Sequence, residues 1–351
     1  MPCRPAISSQ SLGRAWEHAL YPKLKAASEA GFEGVEIFFE DLAYLANVYT
    51  QERLEDHGAT ETTEGKSSEP SEQDLLRAAE DVRGWCEQFK LEVLCLQPLQ
   101  NFEGVKSSSA HTSSITNLKL WLRLCRKLNT QMILIPSSTL PTSELDETTI
   151  VEHLRSAADL AASQSPPINL AYEALAWGTL VNTWEISYQH VQEANRPNLG
   201  ICIDTFSLAG KIYGDPTSPD GKTKDGEEAL ASSLANLKSN LDITKVFYIQ
   251  LVDAEKLESP LDSSHPWYKA DQPARMTWSR NARLFAYEED QGGYLPVRKV
   301  MEVLLKDQTF EGWVSMELFS RDLVEKRDGV PRQHAERGMR SWRRLREEFG
   351  L

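Results

Sequence analysis

Four side chains with oxygen donors interrupt apolar runs near the ends of those runs: Glu173 in INLAYEA, Asp204 in LGICIDTF, Gln250 in VFYIQLVD and Glu317 in GWVSMELF. An unpaired charge buried at such a place costs several kcal/mol, about 20 in the idealised limit. Each residue taken singly has a structural explanation. Asp204 could cap a following helix, Glu173 could pair with an arginine, and Gln250 could bridge two strands. Together they suggest chemistry, because three carboxylates converging on one place repel and raise each other's pKa unless a cation neutralises them. Oxygen ligands of this kind suit a hard or borderline divalent ion such as Mg2+, Mn2+ or Co2+. The absence of Cys and His from the set argues against structural zinc.

A second group is basic. PARMTWSRNARLF, residues 273–285, carries Arg275, Arg280 and Arg283 with Ser279 and Asn281 between them, in a chain of formal net charge −14. The acidic EED at 288–290 accounts for at least one of these arginines. The others, joined by Arg321, form a fork for a planar anion such as a carboxylate or phosphate. Glu36, Gln97 and Gln100 are further strand-end candidates, and Trp177 is a candidate pocket wall. His265 is the histidine expected near the active face; the other six fall in helices or surface loops.

These side chains need a frame that brings strand ends together. Short continuous apolar runs at 5–9, 34–39, 91–98, 131–136, 168–174, 199–206, 246–253 and 312–319 read as buried parallel strands. Amphipathic stretches at about 13–30, 73–89, 112–128, 146–164, 181–195, 226–240, 295–307 and 332–349 read as helices, with Ser71 as a cap for the second. Eight strand-then-helix units in alternation describe an α/β fold, a single (β/α)8 TIM barrel over residues 1–351, whose active face lies at the C-terminal ends of its strands. A doubly wound open sheet would carry a Gly-rich phosphate turn after its first strand, and none is present. Residues 57–73 are polar and read as a variable surface loop. Residues 254–293 are rich in aromatic residues and read as a lid packed over the active face.

The 351 residues are 40% hydrophobic and 26% charged, enough apolar material for a sizeable core. The acidic balance argues against nucleic acid and against an anionic membrane surface. No apolar run reaches the ~18 residues of a membrane span, and the N-terminus lacks a secretory pattern, so a cytoplasmic protein is expected. Five scattered cysteines without C-x-x-C spacing read as reduced core thiols. A homodimer is the expected assembly.

The stretches GVEIFFEDL, LEVLCLQP, YEALAWG, DTFSLAG, YIQLVDAEKL, QPARMTWSRNARLF and GWVSMELFSRDL resemble the fungal 3-dehydroshikimate dehydratases of quinate catabolism. These belong to the wider xylose-isomerase-like, sugar-phosphate isomerase/epimerase group of TIM barrels, and the likeness runs through the whole chain in order. It implies a divalent metal on Glu173, Asp204, Gln250 and Glu317, and a lyase that dehydrates 3-dehydroshikimate to protocatechuate. In that reaction the proton next to the ketone is removed, an enediolate forms and the β-hydroxyl leaves. The arginines would grip the ring carboxylate, with Gln97, Trp177 and Ser279 beside it. Two departures bear on proton transfer: Ser207 stands where bacterial relatives tend to carry a histidine, and Thr179 and Leu180 stand where others carry histidine or arginine. His265, Glu36, Ser207 or a metal-bound water would then serve as the catalytic group. The alternatives are a barrel of this family repurposed in fungal secondary metabolism for another dehydration, isomerisation or ring closure, a sugar-phosphate isomerase, and a non-catalytic binding protein.

Overall fold

The computed structural model describes residues 3–56 and 70–351. The strands, in chain order, are β1 Arg4–Ser8, β2 Gly34–Phe38, β3 Glu92–Gln97, β4 Met132–Pro136, β5 Asn169–Glu173, β6 Leu199–Asp204, β7 Val246–Leu251, β8 Asp253–Ala254, β9 Arg283–Leu284 and β10 Trp313–Met316. Eight of them close a parallel barrel in the order β1-β10-β7-β6-β5-β4-β3-β2, while β8 and β9 pair apart as a two-residue antiparallel ribbon. The eight expected strands are the eight staves, in order. The last strand ends sooner than its apolar run: Glu317, expected inside it, lies just beyond Met316.

Period-two alternation makes the barrel interior. Ala6, Leu94, Cys95, Leu134, Ala171, Cys202 and Tyr248 form a small apolar cluster separate from the large one that involves the helices. Two residues further along the same strands come Ser8, Pro136, Glu173, Asp204 and Gln250. The polar residues therefore form the next layer up, towards the C-terminal mouth.

Two helices begin directly at strand ends. Phe39–Asp56 follows β2 without a break, and Thr205–Ile212 follows β6. The first fell outside the helices expected from the sequence, because its apolar residues give little one-sided periodicity. Glu72–Phe89 begins where Ser71 accepts the backbone N–H of Asp74 at 3.1 Å, as its cap position predicts. Of the expected surface loop 57–73, residues 57–69 lie outside the described residues.

The stretch 254–293 is built rather than open. Helix Ala274–Ala282 leads into β9, and β9 pairs with β8 beside the end of β7. Trp278 anchors that helix: fully buried, it packs on Phe206 with ring centroids 4.8 Å apart and donates Nε1–H to the carbonyl of Glu255 at 2.9 Å. All five cysteines are free and buried. Among the described residues no helix is long and apolar enough to cross a membrane.

Candidate active site

A cavity of about 740 Å³ opens at the C-terminal mouth. Glu173, Glu317, Gln97, Arg283, Arg280 and Trp177 are part of its wall, with Ser279 and Arg321. Register accounts for the gathering. Asp204 pairs with Gln250 across β6 and β7, and Gln250 with Ser315 across β7 and β10, so adjacent staves raise their polar residues to one height.

Arg283 joins the carboxylates. Its Nη1 stands 2.9 Å from Asp204 Oδ2 and 3.0 Å from Glu317 Oε2, with all three side chains almost wholly buried. Nε donates to Ser279 Oγ at 2.8 Å, and the guanidinium lies between the rings of Phe206 and Phe319, 4.5 and 5.1 Å from their centroids. Burial alone would lower the Arg283 pKa. Asp204, Glu317 and Glu173 outweigh it and hold the guanidinium charged. The other oxygen of Asp204, Oδ1, accepts the backbone N–H groups of Phe206 and Ser207 at 2.7 and 3.2 Å, capping the helix that begins at Thr205. Burial pushes Glu317 up to about 8, even against the opposing pull of Arg283. Burial, with Asp204 and Glu317 nearby, raises Glu173 well above the usual carboxylate range.

Beneath this layer lies Glu36, wholly buried. Gln97 Nε2 reaches Glu317 Oε1 at 2.8 Å and Glu36 Oε2 at 3.2 Å; Gln250 Nε2 reaches the same two oxygens at 3.0 Å each. Two amides thus bridge one pair of glutamates. Tyr248 donates to Glu36 Oε2 at 2.9 Å and Ser315 donates to Glu36 Oε1. Burial raises the Glu36 pKa despite these donors.

Several expectations need correction. Glu36 is a floor group locked by Ser315, Tyr248 and the two amides, outside the cavity wall. His265 is also outside the wall: its Nδ1 accepts the backbone N–H of Trp267 at 3.1 Å and its ring packs edge-on to Trp267. Ser207, likewise no wall residue, is buried and directs its hydroxyl to Asp204 Oδ2 and Glu173 Oε1 at 3.4 and 3.5 Å. Arg275 faces away from the cavity and donates to the carbonyls of Gly210 and Gly214, each at 2.8 Å, where helix Thr205–Ile212 ends. Arg321 lines the cavity but spends Nη1 on Glu255 at 2.6 Å and stacks over Trp267. Arg280 also lines it, donating to Gln272 at 2.8 Å.

The four expected metal donors are neighbours, but they do not surround a common empty point. Among the described residues no three His, Cys, Asp or Glu side chains are disposed to hold an ion. The Arg283 guanidinium stands between Asp204 and Glu317, and Gln250 turns its Nε2 toward the glutamates while its Oε1 faces Cys202. The donors fit a divalent cation in kind, since they are hard oxygens, three of them carboxylates, buried against a single guanidinium. Arg283, present in the basic cluster, carries more of the site than the sequence suggested. Arg14 and Trp16, which also line the cavity, come from the loop after β1, a strand end without an acidic marker.

Fold and site together define a (β/α)8 barrel with a polar, carboxylate-rich pocket at its C-terminal face. The chain belongs to the xylose isomerase-like TIM barrel family, whose model matches residues 24–345. It is 43% identical over its whole length to a Neurospora crassa 3-dehydroshikimate dehydratase, covering 96% of that protein. It is 26% identical, over 93% of its length, to a Pseudomonas aeruginosa protein of the same name, of which it spans 40%. Among solved structures it superposes on the IolI protein with a bound zinc atom at a TM-score of 0.67, with 17% identity and 99% of both chains covered, a likeness of fold.

Proposed function

We propose that this protein is a divalent-metal-dependent 3-dehydroshikimate dehydratase, a lyase releasing water from a cyclic hydroxy-ketone carboxylate to give protocatechuate. The observation that carries this reading is the placing of Glu173 and Glu317 in one cavity wall, with Asp204 buried behind it and joined to Glu317 through Arg283, in a chain aligned end to end with a dehydratase of that name. Glu173, Asp204, Gln250 and Glu317 would hold the ion, which would supply Lewis-acid polarisation of the substrate ketone.

The chain's own residues supply the rest. Arg280 is half of an anion grip at the lid, with Arg321 at its edge, and Trp177 walls the pocket against the ring. Gln97 and Gln250 hold Glu317 on the side away from solvent, so its cavity face stays fixed while charge develops. Glu40 and Lys269, which line the same cavity outside the donor set, are the groups available to move a proton between substrate carbon and leaving hydroxyl. The substrate is a small-molecule carboxylate. The cytoplasm is the proposed location and a homodimer the proposed assembly.

The test is direct. Purified protein is mixed with 3-dehydroshikimate and Mg2+, Mn2+ or Co2+, and the ultraviolet absorbance of a catechol acid is followed. Absorbance should grow with at least one metal; none with any metal rejects the reading.

A further inference from the structure

We propose that Arg283 is the resident counter-cation of the carboxylate cluster, and that a divalent ion must win Asp204 and Glu317 from it. The proposal deepens the metal-dependent reading and rests on it.

The geometry is that of a held group. A guanidinium reaching by chance into an acidic pocket would be loosely kept, but Arg283 is 1% exposed and fixed at four places. Its backbone N–H bonds the carbonyl of Phe319 at 3.0 Å, its Nε is taken by Ser279, its guanidinium carbon lies over the rings of Phe206 and Phe319, and its Nη1 is shared by two carboxylates, one ending β6 and one just beyond β10. Three buried carboxylates with no cation nearby would separate or stay protonated. One guanidinium between two of them lets the polar layer form before any ion arrives.

The same position makes Arg283 a competitor. Asp204 Oδ1 already serves the helix cap and Glu317 Oε1 already serves the two glutamine amides. On these two residues the oxygens left for an ion, Asp204 Oδ2 and Glu317 Oε2, are the two that Arg283 holds. A divalent ion and the guanidinium cannot both sit between them, since like charges that close repel. Metal affinity therefore reports a difference: the gain from the oxygens less the loss of the guanidinium contacts. Arg283 is in this sense a positioning residue whose effect is on metal binding.

The experiment titrates Mn2+ into metal-free wild type, Arg283→Gln and Arg283→Lys by calorimetry, with the melting temperature of each read with and without Mn2+. Arg283→Gln should bind Mn2+ at least about tenfold more tightly than wild type, about 1.4 kcal/mol, and Arg283→Lys should fall between them. The Gln variant should melt lower than wild type without metal and recover most of the difference with it. In wild type, the Arg283 Nε–H NMR signal, identified by its loss in Arg283→Lys, should shift when diamagnetic Mg2+ is added; this arm needs no folded Gln variant. Equal or weaker Mn2+ binding by Arg283→Gln, or an Nε signal unmoved at saturating Mg2+, overturns the competition and leaves the metal reading standing. No binding by any of the three proteins removes both.

Discussion

Nη1 of Arg283 lies 2.9 Å from Oδ2 of Asp204, a contact between the short strand β9 and a barrel stave in which both side chains are almost wholly buried. Asp204 also caps the helix beginning at Thr205, so its two oxygens tie three elements together. Asp204→Ala should therefore cost stability as well as activity, roughly 3–5 kcal/mol for the stranded guanidinium and lost cap, read by urea denaturation. Asp204→Asn keeps the cap and should cost distinctly less stability while still abolishing turnover.

Arg275 and Arg280 sit five residues apart and should separate cleanly. Arg275→Ala removes two bonds to carbonyls at the end of helix Thr205–Ile212, so unfolding should become easier by about 1–3 kcal/mol with little change in KM. Arg280→Ala should leave the unfolding midpoint almost unchanged and raise KM for 3-dehydroshikimate by about tenfold or more, consistent with a charge-assisted contact. Steady-state kinetics beside a melt distinguishes the two.

Trp278 fixes the helix that delivers Ser279 and Arg283. Trp278→Ala should cost about 3–5 kcal/mol, and turnover per folded molecule should fall because the cavity wall formed by Ser279 and Arg280 loses its anchor. A urea titration and an assay at equal folded fraction would check both.

Glu103 sets a pH dependence. Burial pushes its carboxyl from 4.5 up to about 7, while Oε1 accepts from Ser138 N and Tyr172 Oη at 2.7 and 3.1 Å and Oε2 has no hydrogen-bond partner among the described residues. Between pH 4.5 and 7 the folded protein holds this proton more tightly than the unfolded chain. Its contribution is therefore full below about 4.5 and is lost as pH rises through about 7. Glu103→Gln should flatten that part of the stability profile and stabilise the protein at pH 8 by roughly 1–3 kcal/mol, measured by denaturation at several pH values.

Gly178 closes the loop that carries Trp177. A Cβ there would lie 2.0 Å from the Val181 carbonyl oxygen and 2.4 Å from Ser137 Oγ. Gly178→Ala should displace the Trp177 wall, raising KM more than it lowers kcat. Kinetics on the variant tests this.

The barrel was legible because each stave is a short apolar run and each run is followed by a change of period. The meeting of Glu173, Asp204 and Glu317 at one end of the barrel was legible for a related reason: each stands at the end of such a run, and parallel staves bring those ends together. Glu36 broke a run in the same way, yet only its contacts across the barrel interior, with Tyr248 and Ser315 on staves that do not pair with its own, reveal it as a floor group. The arginines were the hardest to order. Arg275, Ser279 and Arg283 follow one another at four-residue steps, but the helix ends at Ala282 and Arg283 turns in on extended backbone. Periodicity cannot say where a nine-residue helix stops, and so cannot say which guanidinium turns inward.

The charge balance of the pocket has a modular origin. Its acids stand on rigid staves, whereas Arg283 arrives with a stretch of chain outside the cylinder. Lineages that redraft this covering stretch would retune electrostatics at the catalytic mouth without altering a single residue of the staves, and transplanting it between relatives would carry the tuning along.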